Sequence, residues 1–268
     1  MRKYNQRIMS GGEIERKSLT ISQLETMRSE DETRERTRWD SGEVLNGVRT
    51  RPLKEVILSQ PNYLSETVRL IYNAVSRHDQ LKCAVSTRIA SEHYAEIFEG
   101  ASKDNSIPEK EREAAMVLAG DMKSRVKENM VFDKMYITHE LAASGNMKES
   151  RELFNEIKPG IMELVDFYVK DIDKKLGDAE LMKYLPKLVE GDLSTGNFFS
   201  GWNATKERLM KIGGVLEGIS MNFERHNPET FYNAIQDIAT AEFIENHFSI
   251  LFAMKNDIWK PPHLPIPG

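Results

Sequence analysis

The sequence has a single cysteine and no long apolar run. Because Cys83 is the only cysteine in 268 residues, an intrachain disulfide and a cysteine-based zinc site are excluded, as is typical of a reducing compartment. No apolar stretch approaches the roughly 18 residues that a membrane-spanning helix needs. The first residues, MRKYNQRIMSGGEIERK, lack the apolar segment of a secretory signal. We therefore expect a cytoplasmic protein, or one contained in a virion, with no membrane partner.

Several motifs of common enzyme classes are also missing. The chain contains no GxxxxGK[ST], GxGxxG or GxSxG pattern, so it lacks phosphate-cradling loops and a nucleophile elbow. A di-iron helical bundle needs two Glu-x-x-His pairs, and none of the six histidines follows a glutamate by three positions. HExxH is absent too. We expect no cofactor and no metal site, and a binding protein is favoured over an enzyme.

Helix signals dominate what is present. The stretch 136–176 predicts three consecutive helices, in which Gly145 ends the first, Asn146 caps the second and Pro159 begins the third. Two further stretches place apolar residues at three- and four-residue spacing, which is typical of buried helix faces. These residues are Ile161, Leu164, Val165, Tyr168 and Ile172, and then Phe231, Ile235, Ile238, Ala241, Ile244, Phe248, Leu251 and Phe252. The sequence therefore predicts an all-α, multi-helix bundle.

Glycine, proline and charge divide the chain into five segments. We expect an extended polar N-terminal arm at 1–51, a helical bundle at 52–190, a glycine- and aromatic-rich joint at 191–202, C-terminal helices packed on the bundle at 203–258, and a short Pro-rich tail at 259–268. Within the arm, Ser22 and Glu25 predict the cap of a short helix. The Gly213-Gly214 pair predicts a turn between two helices.

The candidate partner-binding residues come from the arm, the joint and the tail. They are Arg34, Arg36, Arg38, Trp39, Phe198, Phe199, Trp202 and Trp259. The arm is either a solvated tail or a segment that docks on a partner. The aromatic side chains of the joint either fill the core or form a contact surface.

Two hypotheses for function follow from these segments. The first is a non-enzymatic interaction or assembly component, such as a viral or phage structural protein, which binds a protein partner or self-associates. The alternative is a nucleic-acid-binding factor that uses the arginines of the arm. Residues 1–51 carry 11 Lys or Arg against 9 Asp or Glu, whereas residues 52–268 carry 26 against 33. This acidic body disfavours broad binding to phosphate backbones.

One motif indicates a further alternative. The segment from Arg88 to His93, RIASEH, resembles the Arg-x4-6-His motif of HEPN-type ribonucleases, which are all-helical proteins. That resemblance implies that Arg88 stabilises phosphate charge and His93 transfers a proton during RNA cleavage. The family usually has a polar residue directly after the arginine, where this chain has Ile89. Because the motif allows several spacings between its arginine and its histidine, it also arises by chance. The other interpretation is that Arg88 and His93 belong to a packed or solvated helix face.

Overall fold

The chain folds into a helical bundle. The structure is a computed structural model that describes residues 18–45, 47–75, 83–188, 195–221, 223 and 228–261. Its elements are α1 (Ile21–Asp40), β1 (Val44–Leu45), β2 (Val48–Arg49), α2 (Leu53–Leu58), α3 (Tyr63–Val75), α4 (Ala84–Ser102), α5 (Glu109–Ala143), α6 (Met147–Leu176), α7 (Ala179–Met182), α8 (Leu185–Leu188), α9 (Thr195–Met221) and α10 (Pro228–Lys255). The expected all-α class is confirmed, with one two-stranded sheet among the described elements.

The bundle is built around α5 and α10. Helix α5 packs along α4 and α6, while α10 contacts α3, α5, α6, α7 and α9. Residues 244–251 of α10 are all buried, so this helix has hardly any solvent-facing side in its second half. The apolar stripe predicted for this helix is buried, apart from the partly buried Phe252. Gly145 has a φ of 88°, and the Asn146 side chain accepts from the backbone N–H of Glu149, as the sequence predicts.

The prediction of an extended arm is wrong for residues 21–40, which form α1. Thr20 and Gln23 make the capping box, so the helix begins earlier than Ser22 and Glu25 predict. Leu24 and Trp39 are buried against the bundle. The backbone N–H of Ile21 donates to Glu149 Oε2 at 2.7 Å, and Arg28 forms a salt bridge with Asp133 of α5. These contacts order α1 because they give a polar helix a buried face and ionic anchors. Residues 1–17 of the predicted arm lie outside the described residues.

Two predicted helix breaks do not occur. Pro159 lies inside α6, although an interior proline removes a backbone hydrogen bond and costs about 3 kcal/mol. The buried stripe keeps its helical phase across Pro159, from Phe154 and Ile157 to Ile161, so packing on both sides outweighs that cost. Gly213 and Gly214 also lie inside a continuous helix, α9. A Cβ atom built on Gly213 would lie 3.3 Å from Met162 Cε, so the glycine permits close packing on α6.

The predicted joint at 191–202 is also wrong where the structure describes it. Residues 195–202 belong to α9, whereas residues 191–194 lie outside the described part of the chain. Trp202 is fully buried, and its Nε1 donates to Asp173 Oδ1 of α6 at 3.0 Å. This anchoring lets the glycine-rich segment continue as helix despite its low intrinsic propensity. In the predicted Pro-rich tail, residues 262–268 lie outside the described residues.

Candidate functional site

The β1–β2 hairpin carries three exposed aliphatic side chains close together in the sequence. Its strands are antiparallel, with Leu45 opposite Val48 and Val44 opposite Arg49. The exposed fraction of the residue is 55% for Leu45, 63% for Val44 and 69% for Val48. A sheet of two short strands has no interior of its own, so these aliphatic side chains stay in contact with solvent. A cluster of this kind is a candidate contact surface for another molecule.

Local interactions hold the hairpin in shape. At its base, the N–H of Thr50 donates to the carbonyl of Glu43 at 2.7 Å, and the Thr50 hydroxyl accepts from the N–H of Glu43 at 2.9 Å. Gly42 has a φ of 74°, and a Cβ atom there would lie 1.9 Å from the Thr50 carbonyl oxygen. Only glycine fits this position. The exposed side chains are therefore presented on a defined scaffold.

The arginines predicted in the arm lie on α1 and are ion-paired. Arg34 pairs with Asp31, and Arg38 lies 3.6 Å from Glu35. Arg36 contacts Glu32 at 2.9 Å and Glu92 of α4 at 2.8 Å. The positive charge on this helix is therefore compensated locally, which leaves no continuous basic face for phosphates.

The predicted tryptophans lie in the core. Trp39 is 2% exposed, Trp202 is fully buried, and Trp259 is 3% exposed and packs against Tyr72 with ring centroids 5.2 Å apart. In this conformation they contribute to the core and cannot form a partner surface. The prediction fails for them because the sequence around a tryptophan does not show whether distant segments of the chain cover its side chain. The side chains of Phe198 and Phe199 lie outside the described structure.

Arg88 and His93 make separate contacts on α4. Arg88 bridges to α1, with its Nη2 2.5 Å from Glu32 Oε2, and also contacts Glu92 at 3.2 Å. His93 is 5% exposed and stacks on Trp39 with ring centroids 4.7 Å apart. Burial lowers the pKa of His93, an effect that Asp40 and Glu96 oppose. Arg88 thus joins two helices, and His93 packs in the core, where RNA has no access to its ring nitrogens.

A layer of buried polar side chains crosses the bundle where α5, α6 and α10 meet. Tyr168 donates its hydroxyl proton to Glu128 Oε2 at 2.8 Å, and Asn129 Nδ2 lies 3.5 Å from Glu242 Oε1. Burial, with the nearby Glu128, raises the pKa of Glu242 to about 8. Burial also raises the pKa of Glu128, although the Tyr168 hydroxyl opposes the shift. Burial at the centre of the bundle therefore raises the pKa values of two carboxyl groups, one on α5 and one on α10.

The sequence contains a local signal for the hairpin. Asn46-Gly47 between short apolar segments is typical of a two-residue hairpin turn. The buried polar layer had no comparable signal. From the sequence alone, the solvent side of an amphipathic helix would be expected to carry Glu242, Glu245 and Asn246. These side chains are buried because neighbouring helices pack over them.

Comparison with known proteins identifies no relative: no protein-family model matches the chain, and no curated protein or solved structure resembles it. Within the described residues, no helix is both long enough and apolar enough to cross a membrane. The same residues contain no group of three or more His, Cys, Asp or Glu side chains arranged to hold a metal ion.

Proposed function

We propose that the chain is a non-enzymatic interaction protein that associates with a second copy of itself through the β1–β2 hairpin. The observation that carries this proposal is the exposure of Val44, Leu45 and Val48 on a two-stranded sheet. Each strand of such a sheet has an outer edge with backbone groups available for pairing. Exposed aliphatic side chains beside available edges favour the addition of further strands.

A second copy suits this surface because identical edges are self-complementary about a two-fold axis. Two hairpins joined edge to edge would make a four-stranded sheet, whereas an isolated two-stranded hairpin is marginally stable in water. The joined sheet would bring the apolar side chains of both copies together and remove them from solvent. A wider role in an assembly, viral or otherwise, and a cytoplasmic location stay predictions from the sequence.

The two alternative functions have less support. The arginines of α1 that a nucleic-acid interface would use are paired with neighbouring carboxylates. A ribonuclease site would need His93 at a surface that RNA can reach, and its ring is stacked on Trp39 inside the bundle. Neither observation favours nucleic acid as the partner.

Light scattering after size-exclusion chromatography tests the proposal. The parent should elute as a dimer, and its apparent mass should fall on dilution. The double variant Leu45→Thr, Val48→Thr should be monomeric, because threonine keeps a high strand propensity while removing apolar surface. Met116→Gln is the matched control, since Met116 is 63% exposed on α5, far from the hairpin in sequence. A monomeric parent at high concentration, or a double variant that dimerises like the parent, would refute the proposal.

A further inference from the structure

A cavity of about 410 Å³ opens between α1, α3 and α4 and extends to α5 and α10. Leu53, Leu70 and Ala90, which are only partly buried, contribute apolar surface to its walls. Arg125 and Glu242 contribute charged or polar groups from the two central helices. Small-molecule sites in proteins have volumes of about 300–1,000 Å³ and combine apolar walls with a few polar groups. The cavity has both features.

Arg125 is the key residue of this cavity. It is 6% exposed, and its Nη2 donates to Ser249 Oγ at 2.9 Å and to the Asn246 carbonyl at 3.4 Å. No salt bridge joins it to an acidic side chain in the part of the chain that the structure describes. Asp121 is reached only through the Ser249 hydroxyl, which donates to Asp121 Oδ2 at 3.0 Å. A buried guanidinium without a direct carboxylate partner is costly, and a planar carboxylate is its best complement.

The other charged groups of the cavity do not supply that partner. Burial raises the pKa of Glu242 to about 8, although the positive charge of Arg125 opposes the shift. At the α1 wall, Glu35 and Arg38 lie 3.6 Å apart and offset each other. Arg125 supplies positive charge at the inner end of the cavity, and this charge favours an anionic ligand.

We propose that this cavity binds a small organic carboxylate, whose carboxylate group pairs with Arg125 and whose apolar or aromatic body lies against Leu53, Leu70 and Ala90. The apolar walls favour an organic acid over an inorganic anion, because burying the body of the ligand adds hydrophobic stabilisation to the ion pair. This site is separate from the hairpin, so its existence does not depend on self-association.

Binding can be tested with the full chain and three probe acids: phenylacetate, hexanoate and indole-3-propionate. Each is titrated at up to millimolar concentration by calorimetry, beside its neutral amide. At least one acid should bind, with its amide at least about tenfold weaker, because the amide cannot form the charged pair. Arg125→Gln should lower the affinity for that acid by at least about tenfold. Arg208→Gln, on the outside of α9, should leave the affinity unchanged. No binding by any acid, equal binding of acid and amide, or an unchanged affinity in Arg125→Gln would overturn the proposal.

A second readout locates the probe and covers the case in which Arg125→Gln does not fold. Cys83 lines the cavity, is exposed and is the only cysteine, so its alkylation by neutral N-ethylmaleimide reports on access. The bound acid should slow this alkylation. Ala90→Leu keeps Arg125 but narrows the cavity, which Ala90 also lines, and it should weaken binding. Alkylation unaffected by a bound acid, or full affinity in a folded Ala90→Leu variant, would place the acid elsewhere and overturn the proposal.

Discussion

At the scale of single residues, the buried carboxyl groups of α5 and α10 couple the protein's stability to pH. Glu242 is fully buried, and its pKa of about 8 lies well above the ordinary value of 4.5. The folded state therefore holds a proton there that the unfolded state releases near its ordinary pKa. The resulting stability is fully present below about pH 4.5 and is lost as the pH rises through about 8. Burial also raises the pKa of Glu128 of α5, so this group affects stability in the same direction.

Glu242→Gln should remove much of this pH dependence. Glutamine resembles the protonated carboxyl group, so the variant should match the parent near pH 5 and exceed its stability above about pH 8. Between these limits, the parent's free energy of unfolding should fall by about 1.4 kcal/mol per pH unit because of this group alone. The free energies of unfolding of the parent and the variant are measured by urea denaturation, monitored by circular dichroism, at a series of pH values.

The control for this experiment is Glu180→Gln, whose side chain is 66% exposed. Its free energy of unfolding should run parallel to that of the parent at every pH. If the Glu242→Gln and parent curves are also parallel between pH 5 and pH 8.5, Glu242 is ionised in the folded protein and the assignment is wrong.

At the scale of helices, two glycines show how packing decides the effect of one substitution. A Cβ atom on Gly120 of α5 meets nothing within 4 Å, whereas one on Gly213 of α9 meets Met162 Cε at 3.3 Å. Gly120→Ala should stabilise the protein by about 0.5–1 kcal/mol, the usual gain from replacing glycine in a helix. Gly213→Ala should gain less, since the Met162 methyl group must move. Chemical denaturation measures the change in the free energy of unfolding for both variants. A larger increase for Gly213→Ala than for Gly120→Ala would contradict the packing of α9 on α6.

The helices also show which signals in the sequence were sufficient. The buried stripe of α10 and the left-handed Gly145 after α5 were predictable, because a long apolar periodicity and a helix-ending glycine are strong local signals. The uninterrupted course of α6 through Pro159 was not. There, local propensity opposes the helix, and only contacts with distant segments maintain it.

The candidate sites were less predictable than the helices. The three predicted arginines of α1 engage neighbouring acids. Arg125 stands out only once folding places it in a cavity, where no described residue forms a direct salt bridge with it. A sequence shows that an arginine is present, but its pairing depends on residues far away in the chain. The hairpin is different, because its turn residues were recognisable locally.

At the scale of the whole molecule, the N-terminal region is divided between the core and the surface. Helix α1 contributes Leu24 and Trp39 to the core, so residues 18–51 cannot all be regarded as a dispensable arm. The hairpin that follows α1 instead places three aliphatic side chains in solvent. A folded body with one exposed, self-complementary strand pair is the arrangement from which we infer self-association.

Hydrogen exchange at the hairpin, measured at several protein concentrations, tests that inference most directly. If two copies pair edge to edge, the backbone N–H groups on the outer edges become hydrogen-bonded in the dimer. In this register Leu45 and Val48 are hydrogen-bonded to each other inside the hairpin, whereas the N–H groups of Val44 and Arg49 point outward. Exchange at Val44 or at Arg49, whichever strand pairs with its copy, should then slow as the concentration of the parent rises. In the double variant Leu45→Thr, Val48→Thr, exchange should stay fast at every concentration. Equal, concentration-independent exchange in the parent and the variant would contradict self-association through this hairpin.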